Sequence, residues 1–319
     1  IGMGNIIFIG NPIELKNKKH DGSEEETRIH YKDNEDTEEL REEINFINDS
    51  LQKYETYIDE RALNRFCKKA TKDIDNNSPF ISNVGLIENY YISRYSLNSY
   101  KRVFNRGDFG KGGRLFHHWI TATPKELRKN IKINGKSIVE LDFGSMNMHL
   151  MYSLIGNSTF SKKDLYQVGT LKKLNRDLIK QFCTVAINTA TTYGAKRATY
   201  KAIYGKEIKA LKDAPQSFVK ELDKVVEEFQ VNHHLLWDKY FKNQHTKKDY
   251  SVKLNFYESN IACAIMKKCL IKKIPCYSIH DSFLTQVRYK DKLLRIMEDT
   301  FVEYFYCLGI DSVSIPPIK

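Results

Sequence analysis

Val139-Glu140-Leu141-Asp142-Phe143-Gly144-Ser145 is an apolar run that ends in a carboxylate. Cys276-Tyr277-Ser278-Ile279-His280-Asp281-Ser282-Phe283 repeats the pattern and ends in His-Asp. Residues 137–142 read as one buried strand, and 276–288 as two strands around a tight turn at His280-Asp281. If these strands are neighbours, two aspartates stand together on rigid backbone. Each aspartate alone has a plainer reading. Asp142 suits an N-cap for a helix over 144–155, and Asp281 suits a turn. As a pair they can hold two divalent cations, the minimum apparatus for joining nucleotides.

The surrounding composition agrees with that chemistry. The chain has 319 residues, 41% of them apolar, enough for one large domain or a few subdomains around a core. Lys and Arg number 51 against 40 Asp and Glu, a net charge of +11 that suits a polyanionic partner. No run approaches the roughly 20 apolar residues of a membrane span. The start, Ile1-Gly2-Met3-Gly4, reads as extraneous residues ahead of Met3 and shows no secretory pattern. Six scattered cysteines without a C-x-x-C pair read as reduced core residues, which predicts a cytoplasmic protein.

Outward from the two aspartates, the pattern is mixed. Residues 14–35 are polar and read as a loop or flexible insert. Asp36 with Glu39 reads as a capping box that starts a helix. Its apolar face continues through Leu40, Ile44, Ile47, Leu51, Tyr54 and Ile58. A second helix covers 61–74. Between Tyr90 and Asn130, Lys101, Arg102, Arg106, Lys111, Arg114, Lys125, Arg128 and Lys129 alternate with aromatics and glycines. That mixture predicts a surface that tracks a nucleic acid backbone. Residues 160–212 read as helical and basic, 217–242 as a long amphipathic helix, and 256–272 as a helix ending before Ile274-Pro275. Asp142-Phe143-Gly144 also spells a kinase magnesium motif, but no glycine-rich phosphate loop, strand lysine or His-Arg-Asp loop accompanies it.

The order of these signals resembles the DNA polymerase I superfamily, including the single-subunit phage-type RNA polymerases, over roughly 107–290. The resemblance lies in motifs, and implies a compact, mobile-element or phage-type branch. Gly113-Arg114-Leu115 is similar to the family's Thr-Gly-Arg-Leu element, which implies that Arg114 contacts primer and template. Arg128 stands ahead of the first catalytic strand, as a basic residue does in the family. Asp142 matches the first catalytic aspartate, and the Phe143 carbonyl can face the same metal. Asn147 stands where the DNA polymerases carry a glutamate that helps exclude the ribose 2′-hydroxyl. Arg176-Asp177-Leu178-Ile179-Lys180 matches the Arg-x-x-x-Lys of the fingers helix. Four residues are about one turn, so both cations share a face and can grip a triphosphate. Lys180 can give a proton to the departing pyrophosphate. Asn188 occupies the register position of a family tyrosine, with Tyr193-Gly194 as its rival. His280-Asp281 matches the second catalytic aspartate and its histidine, and Ser282-Phe283 follows as in the RNA polymerases. Glu258 lies on the preceding helix, where the family often places a polar residue against the minor groove or the carboxylates.

The resemblance implies an α+β fold: a right-hand palm of small antiparallel sheet, helical fingers and a reduced N-terminal region. The expected segments are 1–106 for a thumb-like or template-binding region, 107–159 and 256–319 for the palm, and 160–255 for the fingers. Two Mg²⁺ ions, replaceable by Mn²⁺, are the expected cofactors; template, primer and nucleoside triphosphates are the expected partners, with no membrane. The sugar is undecided, and a primase-like or replication role suits the size. Two other readings stay open: a degenerate polymerase fold that only binds nucleic acid, and a metal-dependent nuclease.

Overall fold

The computed structural model describes residues 11–17, 27–72, 83–242 and 249–319. Helices and two small sheets make it a mixed α+β structure. In chain order the described elements begin with β1 Ile13–Asn17, β2 Thr27–Arg28, α1 Glu35–Leu51, β3 Thr56–Ile58, α2 Glu60–Lys72 and α3 Asn83–Ser96. Then come β4 Lys101–Asn105, β5 Asp108–Phe116, the one-turn helices α4 Trp119–Ala122 and α5 Lys125–Arg128, β6 Ile131–Ile133 and β7 Lys136–Asp142. The helices α6 Met146–Leu154, α7 Arg176–Ala186, α8 Thr192–Tyr204, α9 Gln216–Asn232, α10 His234–Leu236 and α11 Tyr250–Ile271 follow. The chain closes with β8 Tyr277–Ile279, β9 Ser282–Gln286 and α12 Lys290–Cys307.

The chain divides into two compact units: Ile1–Asp142 with Glu258–Phe301, and Phe143–Tyr257 with Val302–Lys319. Both sheets belong to the first. One has the order β2-β1-β4-β5, and the other β3-β6-β7-β9-β8. Every pairing is antiparallel except β1 with β4. Ile44, Ile47 and Leu51 of α1, Phe104, Ile131, Ile133, Leu284 and Phe301 are among its buried residues.

Several expectations change here. Residues 14–17 are strand, not loop: Ile13 and Leu15 are buried and the strand pairs with β4. Residues 18–26 lie outside the described residues. Helix α1 is capped two residues earlier than Asp36-Glu39 implies. Asn34 accepts from the Thr37 N–H at 2.9 Å, and Thr37 Oγ1 accepts from the Asn34 N–H at 2.9 Å. The helix ends at Leu51, so Tyr54 lies beyond it and Ile58 closes β3. Lys101 and Arg102 are buried and no part of a basic surface.

The second unit is built on aromatic packing. Phe229 lies 6.2 Å from Phe182 and 5.1 Å from Phe241, whose ring stacks on Trp237. Tyr152 donates to His233 Nδ1 at 2.8 Å, and His233 Nε2 lies 2.8 Å from the Leu165 carbonyl. Helix α9 stops at Asn232, and a π-helical turn at Trp237–Phe241 ends the run expected to reach 242. Among the described residues none of the six cysteines forms a disulfide; five are buried and Cys307 is exposed. No described helix is long and apolar enough to cross a membrane.

His118 gives this fold an acid limit. Its ring stacks 4.7 Å from Tyr100, and its Nδ1 accepts the Ile120 N–H at 3.3 Å, capping α4. Burial lowers its pKa to about 3. The unfolded chain takes up this proton below about pH 6.5, so stability is lost as pH falls from there towards 3. His118→Asn keeps a capping acceptor and cannot titrate. Urea unfolding at pH 7 and 4.5 should show the variant losing about 2–3 kcal/mol less than wild type over that interval.

Candidate active site

Antiparallel register brings the two aspartates together. Leu141 faces Phe283 and Asp142 faces Ser282 across β7 and β9. Asp281 is the residue before Ser282, in the two-residue turn that joins β8 to β9. His280 makes that turn possible with a left-handed φ of 57°. Ser282 Oγ donates to Asp142 Oδ1 at 2.9 Å and fixes that carboxylate.

A third carboxylate belongs to the group. Glu258 on α11 is 2% exposed and receives both Nε and Nη2 of Arg114, at 2.9 and 2.8 Å. This fork-to-fork pair satisfies both groups. Arg114 reaches it because β5 bends at Gly112 and Gly113, both left-handed with φ 82° and 76°. A Cβ at Gly113 would stand 2.8 Å from the Phe104 ring and 2.9 Å from Arg102 Nη2. Arg102, 1% exposed, holds the same bend from below. It donates to the Gly113 carbonyl at 3.0 Å, Ser259 Oγ at 3.1 Å and Asn260 Oδ1 at 2.6 Å, and pairs with Glu43. One buried guanidinium therefore ties the bend before Arg114 to the residues that follow Glu258.

The electrostatics follow from this crowding. Burial raises the Asp281 pKa, the charges of Glu258 and Asp142 raise it further, and the result is about 7. Burial lowers the His280 pKa, with Arg114 and Arg128 adding to it, to about 4. Among the described residues the buried His280 Nδ1 has no hydrogen-bond partner. Arg128 donates to the Thr123 carbonyl at 3.0 Å and to Glu140 at 3.2 Å, two residues before Asp142. Among the described residues no three His, Cys, Asp or Glu side chains converge to hold a metal. Glu258 is taken by Arg114, which leaves Asp142 and Asp281. A pair of carboxylates under mutual repulsion is a donor set that a hard cation relieves, with its other ligands from water or substrate.

The remaining expected residues belong to the second unit. Phe143 is buried and bridges Ile318. Asn147 is on α6, and its buried Oδ1 has no partner among the described residues. Arg176 and Lys180 share α7, where Lys180 is exposed. Arg176 donates to Asp164 at 2.8 Å and lies 5.5 Å over the Tyr166 ring. Asp164 also accepts from Ser145 and Lys319. Burial pushes its carboxyl up, but these three partners outweigh it and leave the pKa at about 2. Asn188 lies past the end of α7 and donates to the Thr184 carbonyl at 3.2 Å. Tyr193 begins the next helix, half-exposed, and its hydroxyl accepts the Leu211 N–H at 3.2 Å.

Sequence reasoning missed Ser282 as the anchor of Asp142, Arg102 as the anchor of the bend, and Asp164 as the anchor of Arg176. The first two depend on partners far away in the chain, Ser282 on Asp142 and Arg102 on Ser259, whereas Asp164 lies only 12 residues before Arg176.

No protein family matches the chain, and no curated protein matches it. Among solved structures it is similar to the POL domain of Pol1 from M. smegmatis, in complex with DNA primer-template and dNTP. The TM-score is 0.39 and the identity 12%, over 82% of this chain and 55% of that one. The likeness is too distant to assign a fold, and the chain spans about half of that structure's length.

Two stability measurements test this geometry. Arg114→Ala leaves a buried carboxylate without its partner and should cost about 3–5 kcal/mol in urea unfolding. The double replacement by Met at Arg114 and Glu258 should cost clearly less than that. Asp281 behaves in the opposite sense. Its raised pKa means that stability declines as pH rises from about 4 through 7. Asp281→Asn should therefore stabilise the metal-free protein at pH 8 by a few kcal/mol, with the gain vanishing near pH 4.

Proposed function

We propose that the chain is a template-directed nucleic acid polymerase that adds nucleotides to a 3′-hydroxyl. The observation that carries this reading is the β7–β9 register, which sets Asp142 and Asp281 side by side amid excess negative charge. The order Arg114, Asp142, Arg176-x-x-x-Lys180, Asp281 along the sequence supports it.

In this reading Asp142 and Asp281 hold magnesium, or manganese in its place, with the Phe143 carbonyl as a further donor. Bound there, the metal would lower the pKa of the strand's 3′-hydroxyl and offset charge on the triphosphate. The chain's own groups do the rest. Ser282 keeps one carboxylate oriented, so the attacking oxygen meets a fixed donor set. Arg114 and Arg128, each already paired with a carboxylate, are the proposed contacts to the strand backbone through their remaining N–H groups, with His280 and Glu258 beside them. Arg176 and Lys180 are the proposed nucleotide contacts. Lys180 stabilises the charge that builds on the leaving pyrophosphate and gives it a proton. Asn147, with Asn188 or Tyr193, lies nearest the sugar in the motif order, and Asn147 in place of glutamate admits either sugar. Strands β7, β8 and β9 are the proposed palm, 160–255 the fingers, and 1–106 a template-binding region.

A labelled primer–template, offered deoxynucleotides and ribonucleotides on DNA and RNA templates, tests the proposal. Extension should depend on magnesium or manganese. Asp142→Ala and Asp281→Ala should each lower it by about 10³-fold or more, since metal stabilisation is worth several kcal/mol. No incorporation under any combination, or undiminished incorporation by both variants, would sink it. Shortening of the strand in the same gel would make the site a nuclease, and salt-sensitive binding without turnover would make the chain a binding factor.

A further inference from the structure

Strand β5 ends in a way that the carboxylate chemistry leaves unexplained. Side chains alternate along a strand, so Arg114 and Phe116 share one face, while Leu115 between them is 2% exposed and faces the core. Arg114 reaches Glu258. Phe116 meets His280, with ring centroids 5.7 Å apart and planes at 69°. The phenyl ring is nonetheless 39% exposed. A large aromatic ring is left in solvent on a face that otherwise carries ionised groups, against the residue that precedes Asp281. Beside it, His280 Nδ1 is buried with no partner among the described residues. An exposed π-face and a ring nitrogen that has no partner among the described residues suit a ligand with a planar heterocycle.

From this arrangement we infer that Phe116 is a stacking surface for a nucleobase at the end of the bound strand, with His280 as its side wall. The inference rests on the nucleic acid reading and names a contact within it. Stacking on an aromatic side chain tolerates any base, because every base has a π-face. Phe116 therefore contributes affinity and seats the strand end without reading sequence. The phosphates are left to Arg114 and Arg128.

The test uses the full chain without metal or nucleotide, so binding is read apart from turnover. F116W adds one indole to the two native ones, Trp119 and Trp237, whose signal is measured in the parent chain. The probes are a hairpin DNA with a recessed 3′ end, its RNA counterpart, and the same hairpins with an abasic 3′-terminal nucleotide. Binding of the intact hairpins should quench the added indole, and the abasic hairpins should not. By anisotropy, F116L should bind about tenfold more weakly than the parent while F116Y binds as the parent does, with the salt dependence unchanged. Equal affinity of F116L, quenching that ignores the terminal base, or no binding of any hairpin overturns the inference. A chain that quenches but never extends a primer loses the polymerase reading and keeps the stacking surface. A chain that extends without quenching loses only the stacking surface.

Discussion

The pairing of β7 with β9 is the constraint on which the candidate site depends. Side-chain direction repeats every two residues, so slipping this pair by one would turn Asp142 to the other face. Leu141, Phe283 and Leu284 are buried within the pair and hold the register. Hydrophobic burial thus holds two acids that repel each other in one neighbourhood, with the Ser282 hydroxyl bonded to Asp142 across the pair.

Around that point the protein compensates buried charge locally. Arg114 answers Glu258, Arg128 answers Glu140, and Lys101 answers Glu14. Arg102 shows why the residue type matters. A guanidinium can bond a carbonyl, a hydroxyl, an amide and a carboxylate at once, in a fixed plane, which an ammonium cannot do. It links strand β4, the glycine bend of β5 and the first unit's part of α11. Asp281 is the exception, since its compensation from Arg114 is already shared with Glu258.

The parts of this arrangement that the sequence discloses are the local ones. Residues 137–142 and 276–288 read as strands bounded by turn residues, and β7, β8 and β9 form there, although within β7 Leu141 alone is buried and Val287 already opens a 3₁₀ turn. What stays hidden depends on partners distant in the chain. Ile13 and Leu15 offer only two apolar residues among charged neighbours, and they become a strand because β4 is there to pair with. Arg102 reads as one more surface cation until Ser259 and Asn260 come to meet it. Asn34 and Asp36 are both competent caps, and the geometry of one turn chooses between them. Arg114 and Glu258 are each visible, but nothing in their spacing announces the pair. The turn that carries Asp281 is legible because the β8–β9 hairpin is a local object, while its pairing with the distant β7 and its buried supports are not.

The distribution of the cysteines has a practical consequence. Burial pushes the thiols of Cys67, Cys183, Cys263 and Cys276 up, away from the reactive thiolate, and Cys269 is also buried. Cys307, at the last residue of α12, is the one exposed thiol among them. A maleimide reagent added to the folded protein therefore has a single address. A fluorophore or spin label can be installed there without replacing any native residue, and β7, β8 and β9 keep their own chemistry.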